Sequence, residues 1–275
     1  WIPVGLAIGY TISWLLEAPR LRKFSIVAND SITIPQYLTN RFLSKSLALQ
    51  VICAIVFLVA YTIYAASSVK ACGTLFHTVI GMDPQIAMYL AAVIIVGYTF
   101  LGGFSAVCWT DFFQGMLVLA AMFIAPIFAA FMLDTSSMSA LPGGYLNPFS
   151  DWRDIISGLA WGLGYFGMPH IIIRFMSIKS QKDLKKSAKI GITWTLLIVF
   201  FATLIGVVGR MFLGFDESIN ENSLVFIQIV RKIFPGVISG ILLSAVLAAS
   251  MSTADSQLLS ASSAFSSDVY KPVIR

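Results

Sequence analysis

The sequence predicts an all-α polytopic membrane protein, and three observations carry that prediction. Of its 275 residues, 58% are hydrophobic and only 11% are charged, whereas a soluble domain carries about a quarter charged residues. Apolar runs of about 20 residues, which suffice to cross the hydrocarbon core of a bilayer, recur along the chain. These runs lack the alternation of polar and apolar residues that a membrane β-barrel would show.

Seven membrane spans are predicted from the apolar runs. Their approximate ranges are 1–17, 46–70, 85–103, 112–133, 155–174, 190–213 and 236–258, and the last helix is expected to continue to about residue 268. If the first span ends inside the cell, the inner loops hold 13 of the 18 Lys and Arg residues. Because positive residues concentrate on the cytoplasmic side, odd-numbered spans are predicted to run inward. The net charge of +5 follows from these loops and does not indicate a nucleic-acid partner.

The loops carry two amphipathic stretches. The inner loop 18–45 includes SITIPQYLTNRF, which predicts a short interfacial helix with Pro35 in its first turn. The stretch 223–234 is amphipathic and predicted to lie outside, where Pro235 separates it from the last span. The outer loop 134–154 is rich in Ser, Gly and Pro.

The second span has polar residues near its middle. Tyr61, Thr62 and Tyr64 lie there, and polar groups at membrane depth are functional candidates because they are costly to bury in lipid. Tyr64 has a ring face and a hydroxyl that a solute could contact. A tyrosine hydrogen-bonded to a neighbouring helix would fit the same pattern, and the residues alone leave both interpretations open.

Between the third and fourth spans lies GGFSAVCWTDFFQG at 102–115. Gly102 and Gly103 are predicted to end one span, and Asp111 and Gln114 to begin the next at its inner end. Asp111 is a functional candidate, because ionisable residues within spans are costly to bury. An aspartate at the start of a helix is also a routine cap, so both interpretations stand.

The fifth span contains GLAWGLGYFGMPH, from Gly158 to His170, with four glycines and a proline. These residues weaken a helix, and a broken helix at membrane depth is tolerated where it is buried in protein or lines a cavity. Trp161, Tyr165 and Pro169 follow one another at intervals of four and are predicted to share one helix face. The stretch is either a glycine-rich packing face or a site for a solute.

The last span carries a stripe of small and hydroxylated residues on one face. The stripe consists of Ala245, Ala249, Ser252, Ser256, Ser260 and Ser263. Small residues let helices approach closely, so packing is one interpretation. The adjacent hydroxyls of Ser252 and Thr253 would also suit a sodium ion, which takes hard oxygen ligands, and Asp255 could add charge.

Motifs for catalysis are missing from the sequence. We find no nucleophile elbow, phosphate-binding loop or metal-ligand spacing. Three cysteines, Cys53, Cys72 and Cys108, have no paired spacing that indicates a disulfide framework. Neither His77 nor His170 lies in a recognisable motif. An enzyme is therefore not expected, whereas a helical bundle with a broken span is typical of solute transport.

The chain begins at Trp1 inside one apolar segment and stops at Arg275 just beyond another. No signal peptide is visible. We interpret residues 1–275 as a single transmembrane transporter domain that is incomplete at both ends.

Three stretches together resemble the sodium/solute symporter family. They are GGFSAVCWTDFFQ at 102–114, WGLGYFGMPHIIIRFM at 161–176 and ILLSAVLAASMSTADSQLLSASSA at 241–264. RLRKF at 20–24 and SITIPQYLTNRF also fit, so the resemblance covers essentially the whole chain. It implies a leucine-transporter-type inverted-repeat fold, in which two five-helix repeats form ten core helices. The seven spans would be core helices two to eight.

The resemblance also implies site residues. A solute pocket would use Tyr64, Trp161, Tyr165 and Pro169. Met168 stands where some members that carry proline have Gln, which leaves the exact solute open.

For the ions, the resemblance implies a central sodium site formed by the carbonyl of Ala249 and the hydroxyls of Ser252 and Thr253. Its remaining ligands would come from core helix one, so residues 1–275 alone are not expected to transport. A second sodium site or the ion's inner exit would involve Asp111, Asp255 and Ser256.

The implied function is secondary active transport, namely sodium-coupled symport of L-proline into the cell by alternating access. Sodium would be co-transported, and a bacterial inner membrane would be the location. Another amino acid, pantothenate or a compatible solute remains an alternative substrate. Two further alternatives are the symporter-like membrane module of a sensor kinase and a truncated product without activity.

Overall fold

The computed structural model describes residues 1–133, 147–149, 151–214 and 224–274, and every regular element within them is helical. Most of the predicted outer loop 134–154 and the first residue of the stretch 223–234 lie outside this described part. In chain order the elements are α1 (Ile2–Ile12), a π-helical turn (Ser13–Glu17), α2 (Ala18–Val27), α3 (Ile34–Arg41), α4 (Ala48–Ile80), α5 (Pro84–Phe131), α6 (Trp152–Ala160), a 3₁₀ segment (Trp161–Gly167), α7 (Pro169–Ser177), α8 (Gln181–Leu213), α9 (Val225–Ile233), α10 (Gly236–Ala264) and a π-helical extension (Phe265–Ile274).

By length and composition, four helices of the described part can cross a membrane, or five if the bent pair α6 and α7 forms one span. The four are α4, α5, α8 and α10 with its extension. This confirms a polytopic helical membrane protein. The sequence predicted seven spans, and the difference has two sources. The first predicted span falls on short consecutive elements, and the third and fourth both lie within α5.

Helix α5 is two helices joined at a single residue. Gly103 has φ 57° and ψ −157°, a conformation that residues with a Cβ rarely adopt. The interruption is therefore shorter than the predicted gap between 103 and 112, because residues 104–111 are already helical. Asp111 lies two turns beyond the break, so the interpretation of this residue as a helix cap is wrong.

The predicted break in the fifth span is confirmed. Helix α6 ends at Ala160, the 3₁₀ segment follows, and α7 starts at Pro169, so that the two arms meet at a bend of 46°. Proline suits this start because the first residues of a helix have no intrahelical use for their N–H groups. The short helix predicted in the loop 18–45 is also present as α3, where the side chain of Thr33 accepts a hydrogen bond from Gln36 N.

Two buried clusters hold these elements in place. Helix α10 packs along α4 and α5, and a large apolar cluster joins α5, α8, α9 and α10 through residues such as Ala125, Ile205 and Ile229. A second cluster, built around Trp14 and Phe175, joins the first helical stretch to α7 and α8. The first cluster packs the beginning of α10, up to Leu247, and the second positions the inner arm of the broken span.

Candidate functional site

The broken span is held against α1 by a crossing of four glycines. A Cβ built on Gly5 would lie 2.5 Å from the carbonyl oxygen of Gly158, and one built on Gly9 would overlap the backbone of Gly162. Real Cβ atoms do not come this close, so the two backbones can meet only because these positions carry no side chain. Gly158 and Gly162 therefore allow close helix packing, in agreement with the interpretation of this stretch as a glycine-rich packing face. Gly5 and Gly9 were not predicted to take part, although their four-residue spacing is a usable signal for close helix packing.

Trp161, Tyr165 and Pro169, which were predicted to share one helix face, do not share it. The 3₁₀ segment turns by about 120° per residue, so Trp161 and Tyr165 point in directions about 120° apart. Trp161 is 61% exposed, whereas Pro169 is buried as the first residue of α7. The expectation that they line a single face assumed α-helical geometry and is wrong.

Tyr165 lies closer to the bundle than Trp161 does. Its ring packs edge-on against Tyr10 of α1, with 5.1 Å between the ring centroids. The hydroxyls of Tyr10 and Tyr64 are both near enough to interact electrostatically with that of Tyr165. Tyr64 is 45% exposed on α4. The structure thus brings Tyr64 and Tyr165 into one neighbourhood and adds Tyr10, which the sequence did not single out.

A direct bond joins α4 to the start of α7. The hydroxyl of Tyr61 accepts a hydrogen bond from the backbone N–H of His170 at 3.3 Å and lies 3.2 Å from its Nδ1. That N–H is among the first four of α7, which have no partner inside the helix. Tyr61 is 6% exposed. Tyr61, which lies one helical turn before Tyr64, therefore supplies an acceptor for an N–H group at the break that has no partner within α7.

The three residues predicted for sodium converge on one carbonyl oxygen. Ser252 Oγ and Thr253 Oγ1 both donate to the oxygen of Ala249, at 3.1 Å and 2.8 Å. A hydroxyl that donates one hydrogen bond keeps lone pairs for another partner. All three residues are partly exposed. The result is a group of three hard oxygen atoms within one turn of α10.

Asp111 and Ser256, both predicted for a second ion, are in direct contact. Ser256 Oγ lies 3.2 Å from Asp111 Oδ2. Arg174 of α7 bonds to the same carboxylate oxygen and donates to Ser256 Oγ at 2.7 Å. The other oxygen, Asp111 Oδ1, is buried and has no partner. Arg174 was predicted only as a positive residue of an inner loop, because nothing in the sequence indicates that it faces Asp111.

Asp255 is fully buried and takes a different partner. Its Oδ2 accepts a hydrogen bond of 2.7 Å from the hydroxyl of Tyr98, while its Oδ1 is buried without a partner. It interacts electrostatically with both Asp111 and Arg174. The three predicted residues thus lie in one polar region, and the side chains of Asp111 and Ser256 form a hydrogen bond with each other.

A small cavity opens beside this polar region. It measures about 30 Å³ and is lined by His170, Arg174 and Ser256 together with apolar residues of α5 and α10. A volume of this size admits a water molecule or a small ion. Ser256 lies three residues after Thr253, so about 4.5 Å of helix rise separates the cavity from the hydroxyls of the predicted sodium group.

Comparison with known proteins agrees with these features. The model of the Sodium:solute symporter family matches residues 1–275. The chain is 40% identical over 283 residues to the High-affinity proline transporter PutP of Bacillus subtilis (strain 168), covering 100% of this chain and 60% of that relative. It is also 40% identical over 278 residues to the Sodium/proline symporter of Staphylococcus aureus (strain USA300), covering 98% of this chain and 54% of that relative. The chain therefore spans between half and two thirds of the length of these relatives.

Proposed function

Because this chain belongs to the sodium:solute symporter family, we propose that it acts in sodium-coupled uptake of L-proline across the cell membrane. The family and the similar relatives are transporters rather than enzymes. The observation that carries the proposal is the grouping of the Ala249 carbonyl with the hydroxyls of Ser252 and Thr253, on the helix that contacts the inner arm α7 of the broken span. Proline is proposed as the solute because both relatives are named for it.

We propose a leucine-transporter-type inverted-repeat arrangement for the helices. The α1–α2 stretch, α4 and the two arms of α5 would be core helices two to five. The broken span would be core helix six, and α8 and α10 would be core helices seven and eight. The break supports this assignment, because discontinuous helices at the repeat interface form the substrate and ion sites of such transporters.

Proline would bind against the broken span. Tyr165 and Tyr64 would contact its ring from one side, since they lie in one neighbourhood, while Trp161 would approach from another direction because of the 3₁₀ geometry. Pro169 would form the floor of the proline site. Because it has no backbone N–H, a carbonyl of the preceding 3₁₀ segment lacks its usual donor and stays available to the solute.

Sodium would bind first at the oxygen group of Ala249, Ser252 and Thr253. A ligand can shift a conformational equilibrium only by its difference in affinity for the two states, so sodium has to bind the outward-open state more tightly. Entry of one charge is driven by about 2.3 kcal/mol per 100 mV of membrane potential, besides the concentration gradient. The ion would then leave inward past Ser256 and Asp111.

Arg174 would hinder the exit of sodium along the proposed route. Its guanidinium already satisfies one oxygen of Asp111, so a departing sodium ion has to compete with it for the carboxylate. Asp255 would add negative charge on the same route without contacting Asp111 directly. The same residues could instead bind a second sodium ion, which is the weaker of the two proposals. Arg174 would then have to move away from Asp111.

Uptake of labelled proline by the full-length transporter in proteoliposomes tests the proposal. Replacing external sodium with potassium should abolish uptake, and Ser252→Ala with Thr253→Ala should raise the sodium concentration for half-maximal uptake at least ten-fold. Ser262→Ala is the matched control, because its hydroxyl also donates to a carbonyl of α10 but at an exposed position. Uptake that does not depend on sodium, or an equal effect of the control, would contradict the proposal.

The identity of the solute needs a separate measurement. Competition of labelled proline by a panel of amino acids, pantothenate and compatible solutes should leave proline as the strongest competitor. If a solute of another class competes better than proline, the proposal of sodium-coupled transport stands and that solute replaces proline in it.

A further inference from the structure

A groove at the predicted inner side of the membrane takes no part in the proposed transport site. It lies between the end of the first helical stretch and the beginning of α8 and has a volume of about 430 Å³. Trp14, Leu15 and Pro19 form one wall. The other wall is a face of α8 that combines apolar residues with two lysines.

The α8 wall consists of two parallel stripes. Lys185, Lys189 and Thr193 follow one another at intervals of four residues, as do Leu184, Ala188 and Ile192. Residues four apart lie above one another on a helix, so an apolar stripe runs along a cationic one. The lysines precede residue 190, where the apolar span of α8 begins, and therefore lie at the level of the lipid headgroups.

Both lysines are exposed, and neither has a carboxylate within ion-pair distance among the described residues. The apolar part of the groove extends from them toward the membrane interior, between Leu15 and Ile192. An occupant that complements these walls has an anionic head at the interface and a hydrocarbon tail directed into the bilayer. Basic pockets between helices on the cytoplasmic side have this chemistry.

We propose that the groove binds an anionic phospholipid, with its phosphate at Lys185 and Lys189 and one acyl chain along Leu15 and Ile192. The proposal is independent of which solute or ion the protein carries. The competing occupant is the rest of a full-length transporter, since the relatives are longer than this chain.

Native mass spectrometry of the full-length transporter in neutral detergent provides the test. Phosphatidylglycerol and phosphatidylcholine with identical acyl chains are added separately, and the bound fraction is measured against lipid concentration. Lys185→Gln with Lys189→Gln should lower the affinity for phosphatidylglycerol to that for phosphatidylcholine, a loss of at least about five-fold, which corresponds to one lysine near an anionic headgroup.

The matched control removes two other lysines of the same helix. Lys182→Gln with Lys186→Gln changes the net charge by the same amount at exposed positions that do not line the groove. It should leave the preference for phosphatidylglycerol within two-fold of the original. Leu15→Trp, at a position that is 59% exposed, should fill the apolar part and weaken binding of both lipids.

Three results would overturn the proposal. The first is equal binding of the two lipids by the unchanged protein, which would mean that the rest of the transporter covers the groove. The second is an equal loss in the two lysine variants, which would indicate general surface attraction. The third is displacement of phosphatidylglycerol by excess inorganic phosphate, which would indicate a simple anion site instead of a lipid site.

Discussion

Gly9 of α1 lies so close to Gly162 of the 3₁₀ segment that a Cβ on Gly9 would overlap the backbone of Gly162. With Gly5 and Gly158 this contact forms the crossing by which the broken span leans on the first helix. The glycines that weaken the helix are thus also the residues that fix its position. A span that has lost backbone hydrogen bonds is stabilised here by close backbone packing.

We predict that Gly162→Ala destabilises the protein more than any alanine at an uncrowded glycine. Overpacking typically costs about 1–3 kcal/mol, and here the clash is with backbone that has little freedom to shift. The measurement is the thermal melting of the full-length transporter in detergent, followed by loss of the monodisperse species. Gly97→Ala is the control, since nothing lies within 4 Å of a Cβ at that helical position, and an equal melting temperature for both variants would contradict the prediction.

A second prediction concerns the pair formed by Arg174 and Asp111. Asp111 is 13% exposed and Arg174 is 41% exposed in their side chains, so the pair is only partly screened by solvent. A double-mutant cycle with Arg174→Gln and Asp111→Asn should give a coupling energy of about 1–2 kcal/mol from melting measurements.

Arg22 and Asp30 form the comparison pair for this cycle. Their nearest charged atoms are 3.7 Å apart, and the side chain of Asp30 is 79% exposed. Exposed pairs contribute about 0–1 kcal/mol, so the coupling should be smaller than for the first pair. A larger coupling between Arg22 and Asp30 would show that the contact of Arg174 with Asp111 has no special strength.

Much of this architecture was predictable because its signals are local. Hydropathy located the long helices α4, α8 and α10, and glycine and proline density located the broken span. The grouping of the oxygen atoms of Ala249, Ser252 and Thr253 was also local, since these residues lie within one helical turn. These features depend on residues that are near one another in the chain.

The features that could not be predicted from the sequence depend on which helix faces pack against each other and on local backbone geometry. Arg174 and Asp111 are 63 positions apart, and no periodicity shows that their helices cross there. The 3₁₀ geometry was missed because the spacing of Trp161 and Tyr165 was read with α-helical periodicity. The shortness of the break in α5 was missed because a single Gly103 in an unusual conformation suffices to redirect the chain.

A third prediction follows from the hydrogen bond between Tyr61 and the N–H of His170. Tyr61→Phe leaves that N–H without its acceptor at the start of α7. An unsatisfied buried donor costs about 1–3 kcal/mol, so the first turn of α7 should open more often. Hydrogen exchange measured by mass spectrometry should be faster in peptides covering 168–175, with little change in α8.

Tyr89→Phe is the control for this variant, because Tyr89 is 74% exposed and lies on α5 away from α7. It should leave exchange in 168–175 unchanged. If Tyr61→Phe also leaves it unchanged, the start of α7 is held by its packing and not by this bond.

The last prediction concerns Asp268, which joins the extension of α10 to α3 and α4. It is fully buried, and its Oδ1 accepts hydrogen bonds of 2.8 Å from both Thr33 Oγ1 and Gln50 Nε2. Asp268→Leu removes the shared acceptor and leaves two buried donors without a partner, whereas Asp268→Asn keeps a carbonyl oxygen of similar shape. We expect Asp268→Leu to cost about 2–4 kcal/mol, at about 1–3 kcal/mol for each unsatisfied group with some relaxation, and Asp268→Asn to cost less than half of that.

Melting measurements rank the two variants, and hydrogen exchange across 34–41 reports whether α3 loosens from the bundle. Asp154→Leu is the control, since Asp154 is exposed and its replacement should shift neither quantity appreciably. If Asp268→Leu proves as stable as Asp268→Asn, burial of the leucine side chain offsets the two lost hydrogen bonds, and the prediction is contradicted. Helix α3 would then be held mainly by the apolar contacts of Tyr37 with Ile172 and Met176.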